Sequence, residues 1–408
     1  MSIELHNRLS SINDIPNYDA KPAYSVIKKA TYKEHGLIRI LSGHEAHHII
    51  NFQDVKKILV DKTCVRGLSN TEGGPSILPT LTPKDLLLNL DFPDHSRLKQ
   101  FVSKDYSRSG LSWLKQYIDE MTHICVDKML TSDSRDLFID VLDKVSINTN
   151  CKLLGIDIDD ITYFRSLAKT VQISDKQDVD GLTQQFTHLY EYLMEHVKGT
   201  RTHADDGLIH KFINNRNKST PPLNDDEIVS ILLGSLLGGD QNTLTIMSKV
   251  LYAALSLPDI WDDIVKQPAL REPYIEELLR LTNLGNSSTF PRIAIQDVEI
   301  STGIIPAGAT IYADVFMANR DPSAFKDPLT INPNRTGPAH LQFGYGMHQC
   351  MGRELAKMEV SAVLDVLVQR LPNMRLKEGL EKIDWSEGII LRRPDNLPIS
   401  INPRHGEH

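Results

Sequence analysis

The 408-residue sequence has no apolar run of about 18 residues, the length a helix needs to cross a bilayer. Its opening stretch, MSIELHNRLSSINDIPNYDA, lacks the charged-then-apolar pattern of a secretory signal, so a cytoplasmic protein with no membrane partner is expected. Cysteine is scarce. The four present, Cys64, Cys125, Cys151 and Cys350, form no C-x-x-C pair, which excludes a disulfide scaffold, a zinc ribbon and a redox dithiol. Three of them read as small buried hydrophobes. A basic stripe is also missing, and the net charge of −8 excludes a domain that neutralises nucleic-acid phosphates. What remains, 40% hydrophobic and 24% charged residues, is ordinary globular composition with enough apolar material for a large core.

Periodicity gives a mainly α chain with small β-sheets. LIRIL (37 to 41) and HHIINF (47 to 52) read as strands paired around a Ser-Gly turn, and DVKKILVD then takes helical spacing. His44, His47 and His48 invite a metal reading, but no cysteine or carboxylate completes a set. From Gly67 to Pro93 the chain is rich in Gly, Pro, Ser and Thr and reads as a long loop, a usual place for a lid or binding wall.

A long helix is expected from Asn224, with Glu227 completing a capping box, to about Ser256. It is apolar nearly all round and therefore central. Its middle, GGDQNT, conflicts with that environment: Gly238 and Gly239 each cost about 1 kcal/mol relative to alanine, and buried polar groups need partners. One reading is a kink or a close helix crossing. The other is that the missing side chains make room for a ligand, faced by Asp240, Gln241, Asn242 and Thr243.

The stretch HLQFGYGMHQCMGRELAKMEV (340 to 360) sets Cys350 just before an amphipathic helix, a position expected to lower its thiol pKa. Gly346 and Gly352 permit a tight loop whose amides point at the sulfur. A zinc site lacks further ligands here, a nucleophilic cysteine needs a positioned base, and a dinucleotide loop lacks its third glycine.

FGYGMHQCMG resembles the cysteine-ligand loop of the cytochrome P-450 family, F-G-x-G-x-H-x-C-x-G, matching all six fixed positions of ten. The resemblance covers nearly the whole chain and implies a single domain over 1 to 408, with a β-rich portion at about 37 to 52, strands at about 292 to 314, and a long central helix over a haem. It implies haem b as cofactor, Cys350 as the metal ligand, and Phe343, Gly344 and Gly352 as residues lying against the macrocycle. Glu277 and Arg280 are similar to the family's E-x-x-R pair, completed by Arg335. Arg292, His348 and His95 match propionate contacts. Lys99 stands where the family has arginine, which keeps the charge but loses the bidentate fork.

A second departure concerns the family's [A/G]-G-x-[D/E]-T pattern, whose acid and alcohol deliver protons while dioxygen is cleaved. Here Gly238 and Gly239 match, but Gln241 and Asn242 occupy the acid and alcohol positions. Neither amide readily donates a proton, although both orient water. Asp240 and Thr243, spaced i, i+3, offer a shifted relay; otherwise the substrate supplies a hydroxyl, or ordinary hydroxylation is avoided.

The expected activity is therefore an oxidoreductase, a monooxygenase hydroxylating or epoxidising a small organic molecule in specialised metabolism. Electrons are expected from a separate ferredoxin and reductase, with Arg353 and Lys357 as docking charges. The alternatives are an atypical haem-thiolate oxidase (coupling, cyclisation, desaturation or peroxide-driven turnover) and a non-catalytic haem sensor. Substrate contacts are expected from the 67 to 93 loop, from Leu233, Leu237 and Gly238, and from Ser287, Ser288, Thr289 and Phe290; the substrate is either free or bound to a carrier protein.

Overall fold

The computed structural model describes residues 9–19, 21–78, 82–133, 135–160, 165, 179–377, 383–388 and 390–401. Residues 79–81 of the expected binding loop lie outside the described residues.

Eight strands matter for the site: β1 (Ser25–Lys28), β2 (Gly36–Arg39), β3 (Glu45–Ile49), β4 (Cys64–Val65), β5 (Arg292–Ala294), β6 (Val298–Ile300), β7 (Gly303–Ile305) and β8 (Thr310–Ala313). Six form one sheet in the order β1-β2-β3-β8-β5-β4, while β6 and β7 pair as a separate hairpin. The expected β2–β3 pairing is present, Gly36 opposite His48. β3 runs parallel to β8, with His48 opposite Tyr312, so distant parts of the chain join in one sheet. β4 pairs antiparallel to β5, Cys64 with Ala294 and Val65 with Ile293. The next step of that register sets Arg66 opposite Arg292.

The three histidines of the N-terminal hairpin bind no common centre. His48 Nε2 is 3.0 Å from Asp314 Oδ2, and His44 Nδ1 is 2.9 Å from Ser42 Oγ. Among the described residues no group of three or more metal-ligating side chains occurs.

The helices that build the site are α1 (Phe52–Val60), α2 (Asp94–Ser103), α3 (Leu114–Thr131), α4 (Asp143–Leu154), α5 (Asp225–Gly239), α6 (Gln241–Ser256), α7 (Arg271–Leu281) and α8 (Arg353–Arg370). The Asn224 capping box forms: Asn224 Oδ1 accepts from the Glu227 N–H at 2.8 Å, and Glu227 Oε2 accepts from the Asn224 N–H at 3.0 Å. The expected continuous helix to Ser256 does not form. It breaks at Asp240 (φ −90°, ψ −76°) into α5 and α6.

The break has a local cause in α4. Asn150 Nδ2 donates to the Leu236 carbonyl at 3.1 Å, and Ser146 Oγ donates to the Asp240 carbonyl at 2.8 Å. Leu236 C=O is the group that the Asp240 N–H meets in an unbroken helix, so a side chain has entered the ladder. Gly239 permits the approach: a Cβ there would lie 2.4 Å from Asn150 Oδ1.

One apolar core extends from Ile12 to Ile399, with Leu232, Leu236, Met247, Val363 and Leu367 fully or almost fully buried in it. Among the described residues, no helix is long and apolar enough to cross a membrane. Two polar clusters are set into this interior. Lys249 is 0% exposed and donates to the Tyr18 and Asn283 carbonyls, the first at 3.1 Å. Glu277 binds Arg280 through both oxygens (2.8 and 2.9 Å) and Arg335 Nε at 2.6 Å, while Arg280 Nη1 reaches the Asn319 and Pro328 carbonyls at 2.7 Å. The structure thus brings the three charges of the E-x-x-R pattern together and ties α7 to the segment preceding the cysteine loop.

Candidate cofactor and substrate cavity

Cys350 opens onto a cavity of about 360 Å³. Its loop is held from both ends. The Cys350 N–H donates to the Phe343 carbonyl at 2.7 Å, the Gly344 N–H to Leu341 at 2.8 Å and the Gln349 N–H to Gly346 at 3.1 Å. Gly344 (φ +70°) and Gly346 (φ +71°) take backbone conformations that other residues reach only under strain. A Cβ on Gly346 would also come within 2.8 Å of the Leu59 carbonyl, so the loop lies directly on α1.

The expected lowering of the Cys350 thiol pKa is not the net result. Burial pushes it up, and the Gly352 and Arg353 amides, with the Lys99 and Arg353 charges, only oppose that shift. The dipole argument omitted the desolvation of a thiolate at the wall of an interior cavity. A bound metal cation reverses the balance, because it replaces the proton on sulfur.

Lys99 also departs from expectation. Its ammonium donates to the Met347 and Gln349 carbonyls, the latter at 2.8 Å, and does not stand in the cavity wall. It braces the ligand loop from α2. The reason is reach: three donors on a flexible stem satisfy nearby carbonyls that a planar guanidinium cannot match.

The cavity also gathers two guanidiniums and two imidazoles. Arg66, Arg292 and His348 are in its wall, and His95 packs behind, its ring centroid 4.4 Å from that of His348. Arg66 is 4% and Arg292 3% exposed. Arg66 Nε, Arg292 Nε, His95 Nδ1 and His348 Nε2 are buried with no hydrogen-bond partner among the described residues. Burial lowers the Arg66 pKa to about 9 and the His95 pKa to about 4, with neighbouring cations contributing, and moves His348 in the same direction. Such a cluster is costly unless anions meet it. Two carboxylates entering from the cavity would satisfy it, which fits the propionates of a haem whose iron faces Cys350. Sequence reading missed Arg66. No local motif marks it; only the β4–β5 register sets it beside Arg292.

The broken helix supplies another wall. Gly234, Ser235, Gly238, Gly239, Asn242, Thr243 and Ile246 face the cavity. The expected contacts Leu233 and Leu237 do not, because they sit one residue, or about 100° of helical turn, off that face. Gly238 is open to the cavity, a Cβ there meeting only Asn242 Nδ2 at 3.9 Å. The close-crossing reading therefore holds at Gly239, while Gly238 is open to the cavity.

Asp240 and Gln241 turn away from the cavity. Asp240 accepts from Gln241 Nε2 at 2.6 Å and pairs with Arg165 at 3.4 Å. Gln241 Oε1 accepts from Arg393 at 2.8 Å. The break at Asp240 destroys the i, i+3 alignment, so Asp240 and Thr243 do not form the shifted relay. Asn242 and Thr243 remain as the polar groups of α6 in the wall.

Ser287, Ser288, Thr289 and Phe290 line the cavity, as do Ile77 and Leu88 of the 67 to 93 loop. On the outer surface, Arg353 pairs with Glu354 at 2.8 Å and Lys357 with Glu276 at 2.5 Å, so neither expected docking charge is free.

Comparison with known proteins places this geometry. A family model for cytochrome P-450 matches residues 258–397. The mycinamicin IV hydroxylase/epoxidase of Micromonospora griseorubida is 31% identical over 358 residues, 88% of this chain and 90% of that protein. The nocardicin C N-oxygenase of Nocardia uniformis subsp. tsuyamanensis is 27% identical over 89% of this chain and 91% of its own. Among solved structures, the mixed-function P-450 MycG superposes with a TM-score of 0.82 at 29% identity, covering 94% of this chain and 99% of that one. A cytochrome P-450 with biaryl coupling reactivity gives 0.84 at 26% identity, covering 93% of each. Likeness in sequence and in backbone runs through almost the entire chain, and the protein belongs to the cytochrome P-450 family of monooxygenases.

Proposed function

We propose that residues 1 to 408 act as one P-450 domain that binds haem b and hydroxylates or epoxidises a small, uncharged organic molecule in specialised-metabolite biosynthesis. Dioxygen and electrons from a separate ferredoxin-type donor drive the reaction. The observation that carries this reading is the pairing on one cavity of the Cys350 sulfur with buried nitrogens of Arg66, Arg292 and His348 that have no partner among the described residues. When bound, the haem supplies oxygen activation at thiolate-ligated iron.

The chain's own groups then have separable tasks. Cys350 provides the thiolate, with the Gly352 and Arg353 amides directed at it. Arg66, Arg292 and His348 bind the propionates, and His95 fixes the His348 ring. Phe343, Gly344 and Gly352 lie against the macrocycle. Glu277, Arg280 and Arg335 hold the segment that leads into the ligand loop. Gly238, Ser288, Thr289 and Phe290 contact substrate, while Asn242 and Thr243 orient water and the bound molecule. Among the described residues, the wall carries no fully charged side chain apart from Arg66 and Arg292, and it mixes hydroxyls with Ile77, Leu88 and Phe290. That chemistry suits a neutral, partly oxygenated substrate, free or presented by a carrier protein. The relatives named for mycinamicin IV and nocardicin C support the metabolic setting.

A second reading has its own support. With Gln241 bonded to Arg393 and Asp240 turned away, the usual acid position holds no proton donor. Oxidative coupling, ring formation, desaturation or peroxide-driven turnover then compete with oxygen insertion, and a structural relative is described by its biaryl coupling.

The test is a Soret titration of the purified haem protein against a library that includes carrier-bound acyl and aminoacyl groups. A low-to-high-spin shift identifies the ligand class, and turnover under labelled dioxygen follows. Label in the product supports insertion; unlabelled product supports the second reading; a protein that takes up no haem overturns both.

A further inference from the structure

Residues 287 to 290 line the cavity but belong to neither helix nor strand, so no ladder holds their backbone. Behind them stands Tyr312, which is 1% exposed and is not among the described residues of the wall. Its hydroxyl accepts from the Ser288 N–H at 2.8 Å, and Ser288 Oγ lies 3.4 Å from it. Burial pushes the phenol pKa up, so this hydroxyl stays neutral.

Tyr312 is itself held from the N-terminal side of the sheet. The Tyr24 ring lies 5.5 Å away at 64°, and the ring of His48, opposite on β3, lies 5.9 Å away at 54°. Two residues on, the buried Asp314 carboxylate accepts from the Tyr24 hydroxyl at 3.3 Å and from the Met317 N–H at 3.0 Å, with His48 Nε2 at 3.0 Å. A cluster bonded in this way has little freedom, and it fixes where the phenol oxygen stands. In front, the Phe290 ring packs on the Arg66 guanidinium, 4.7 Å from its centroid. The segment is thus tied to Tyr312 near one end and to the cation cluster at the other.

We propose that Tyr312 is a positioning residue of the substrate cavity. Through the Ser288 N–H its hydroxyl holds residues 287 to 290 in the shape that receives a ligand. The physical reason is preorganisation: a segment that must order when a ligand arrives takes affinity from every ligand that touches it, and a wall already ordered does not. The ligands favoured are those long enough to reach from the haem iron to this wall, over those confined to the iron. Tyr312 touches neither. The inference rests on the haem-binding reading above and deepens it.

The test compares haem-loaded wild type with Tyr312→Phe, which keeps the ring against Tyr24 and His48 and removes only the acceptor. Amide hydrogen exchange, read by mass spectrometry, should be faster across residues 287 to 290 in the variant. The haem-to-protein absorbance ratio should not change. Soret titrations then use two nitrogen ligands of the iron, imidazole and 4-phenylimidazole, which differ in reach. Imidazole should bind within about twofold of the wild type, while 4-phenylimidazole should weaken about fivefold or more, the effect of losing one hydrogen bond.

Unchanged exchange in Tyr312→Phe overturns the proposal. So does faster exchange with the ratio of the two affinities unchanged, which would make the Ser288 bond a structural tie without influence on selection. Loss of haem from the variant overturns it as well, because Tyr312 would then serve the cofactor. If Tyr312→Phe does not fold, the wild type decides. Protection of the 287 to 290 amides before 4-phenylimidazole is added supports a preformed wall, and protection that arises only with the ligand overturns it. Failure of the underlying reading is distinguishable, since it appears as a wild type without a thiolate-ligated haem spectrum.

Discussion

Arg66 and Arg292 are two buried guanidiniums set side by side, each with an Nε that has no partner among the described residues. Like charges at that depth destabilise the protein alone and favour whatever anion enters between them. Replacing one should therefore act in opposite directions on the two forms. Arg66→Leu is expected to raise the stability of the haem-free protein, by on the order of 1 kcal/mol, while weakening haem retention about tenfold or more. Parallel denaturation of the haem-free protein and haem transfer to an acceptor would read both. A loss of stability in both forms would mean that the Arg66 stack on Phe290, 4.7 Å from guanidinium to ring centroid, outweighs the repulsion. Lys99 is the complementary case: the same formal charge, bonded to two loop carbonyls, organises the ligand loop from behind.

At the scale of the element, the α5–α6 break separates two adjacent glycines that sequence cannot tell apart. Both border the cavity, but a Cβ on Gly239 would run into Asn150 of α4, whereas one on Gly238 would meet open space. Gly239→Ala should destabilise by about 1–3 kcal/mol through overpacking on Asn150. Gly238→Ala should leave stability unchanged or raise it by up to about 1 kcal/mol, because alanine is the better helix former and nothing obstructs the methyl. It should instead alter the ligand-induced spin shift, since the methyl projects into the binding space. Urea titrations of the two variants distinguish the roles, and equal losses would contradict the packing described. The same break explains why Asp240 fails as a cavity acid: α4 side chains capture the carbonyls of Leu236 and Asp240, and the carboxylate rotates towards Arg165.

For the whole molecule, the buried Glu277–Arg280–Arg335 cluster connects α7 to the approach of the cysteine loop. Glu277→Gln leaves two buried guanidiniums without a counter-charge and should cost about 3–5 kcal/mol, with haem lost on purification. Thermal unfolding and the haem-to-protein absorbance ratio would measure this; a stable variant with full haem content would show the cluster to be dispensable. Acid stability is set partly elsewhere. His196 is 0% exposed, and burial, aided by Arg201 and His203, lowers its pKa from 6.5 to about 4. Between those values the unfolded chain binds the proton and the fold does not, so stability falls as pH drops from about 6.5 towards 4 and levels off below. His196→Phe should lack this component. The stability difference between it and the wild type should shift in the variant's favour by on the order of 3 kcal/mol across that window. A pH-independent difference would place the titration elsewhere.

Local chemistry made part of this protein readable in one dimension. The ligand loop FGYGMHQCMG, the Asn224–Glu227 capping box, the Glu277–Arg280 pair and the β2–β3 hairpin each depend on residues within about ten positions of one another, where spacing alone fixes which groups meet. Other decisions needed the folded chain. Arg66 joins Arg292 only through the β4–β5 register, and Leu233 and Leu237 give way to Gly234 and Ser235 beside the expected Gly238 because core packing sets the rotation of α5. Lys99 turns to loop carbonyls about 250 residues away, and the central helix breaks where α4 competes for its carbonyls. In each of these the outcome depends on a partner brought close by tertiary packing, and the free energy of meeting it exceeds the local preference that the sequence expresses.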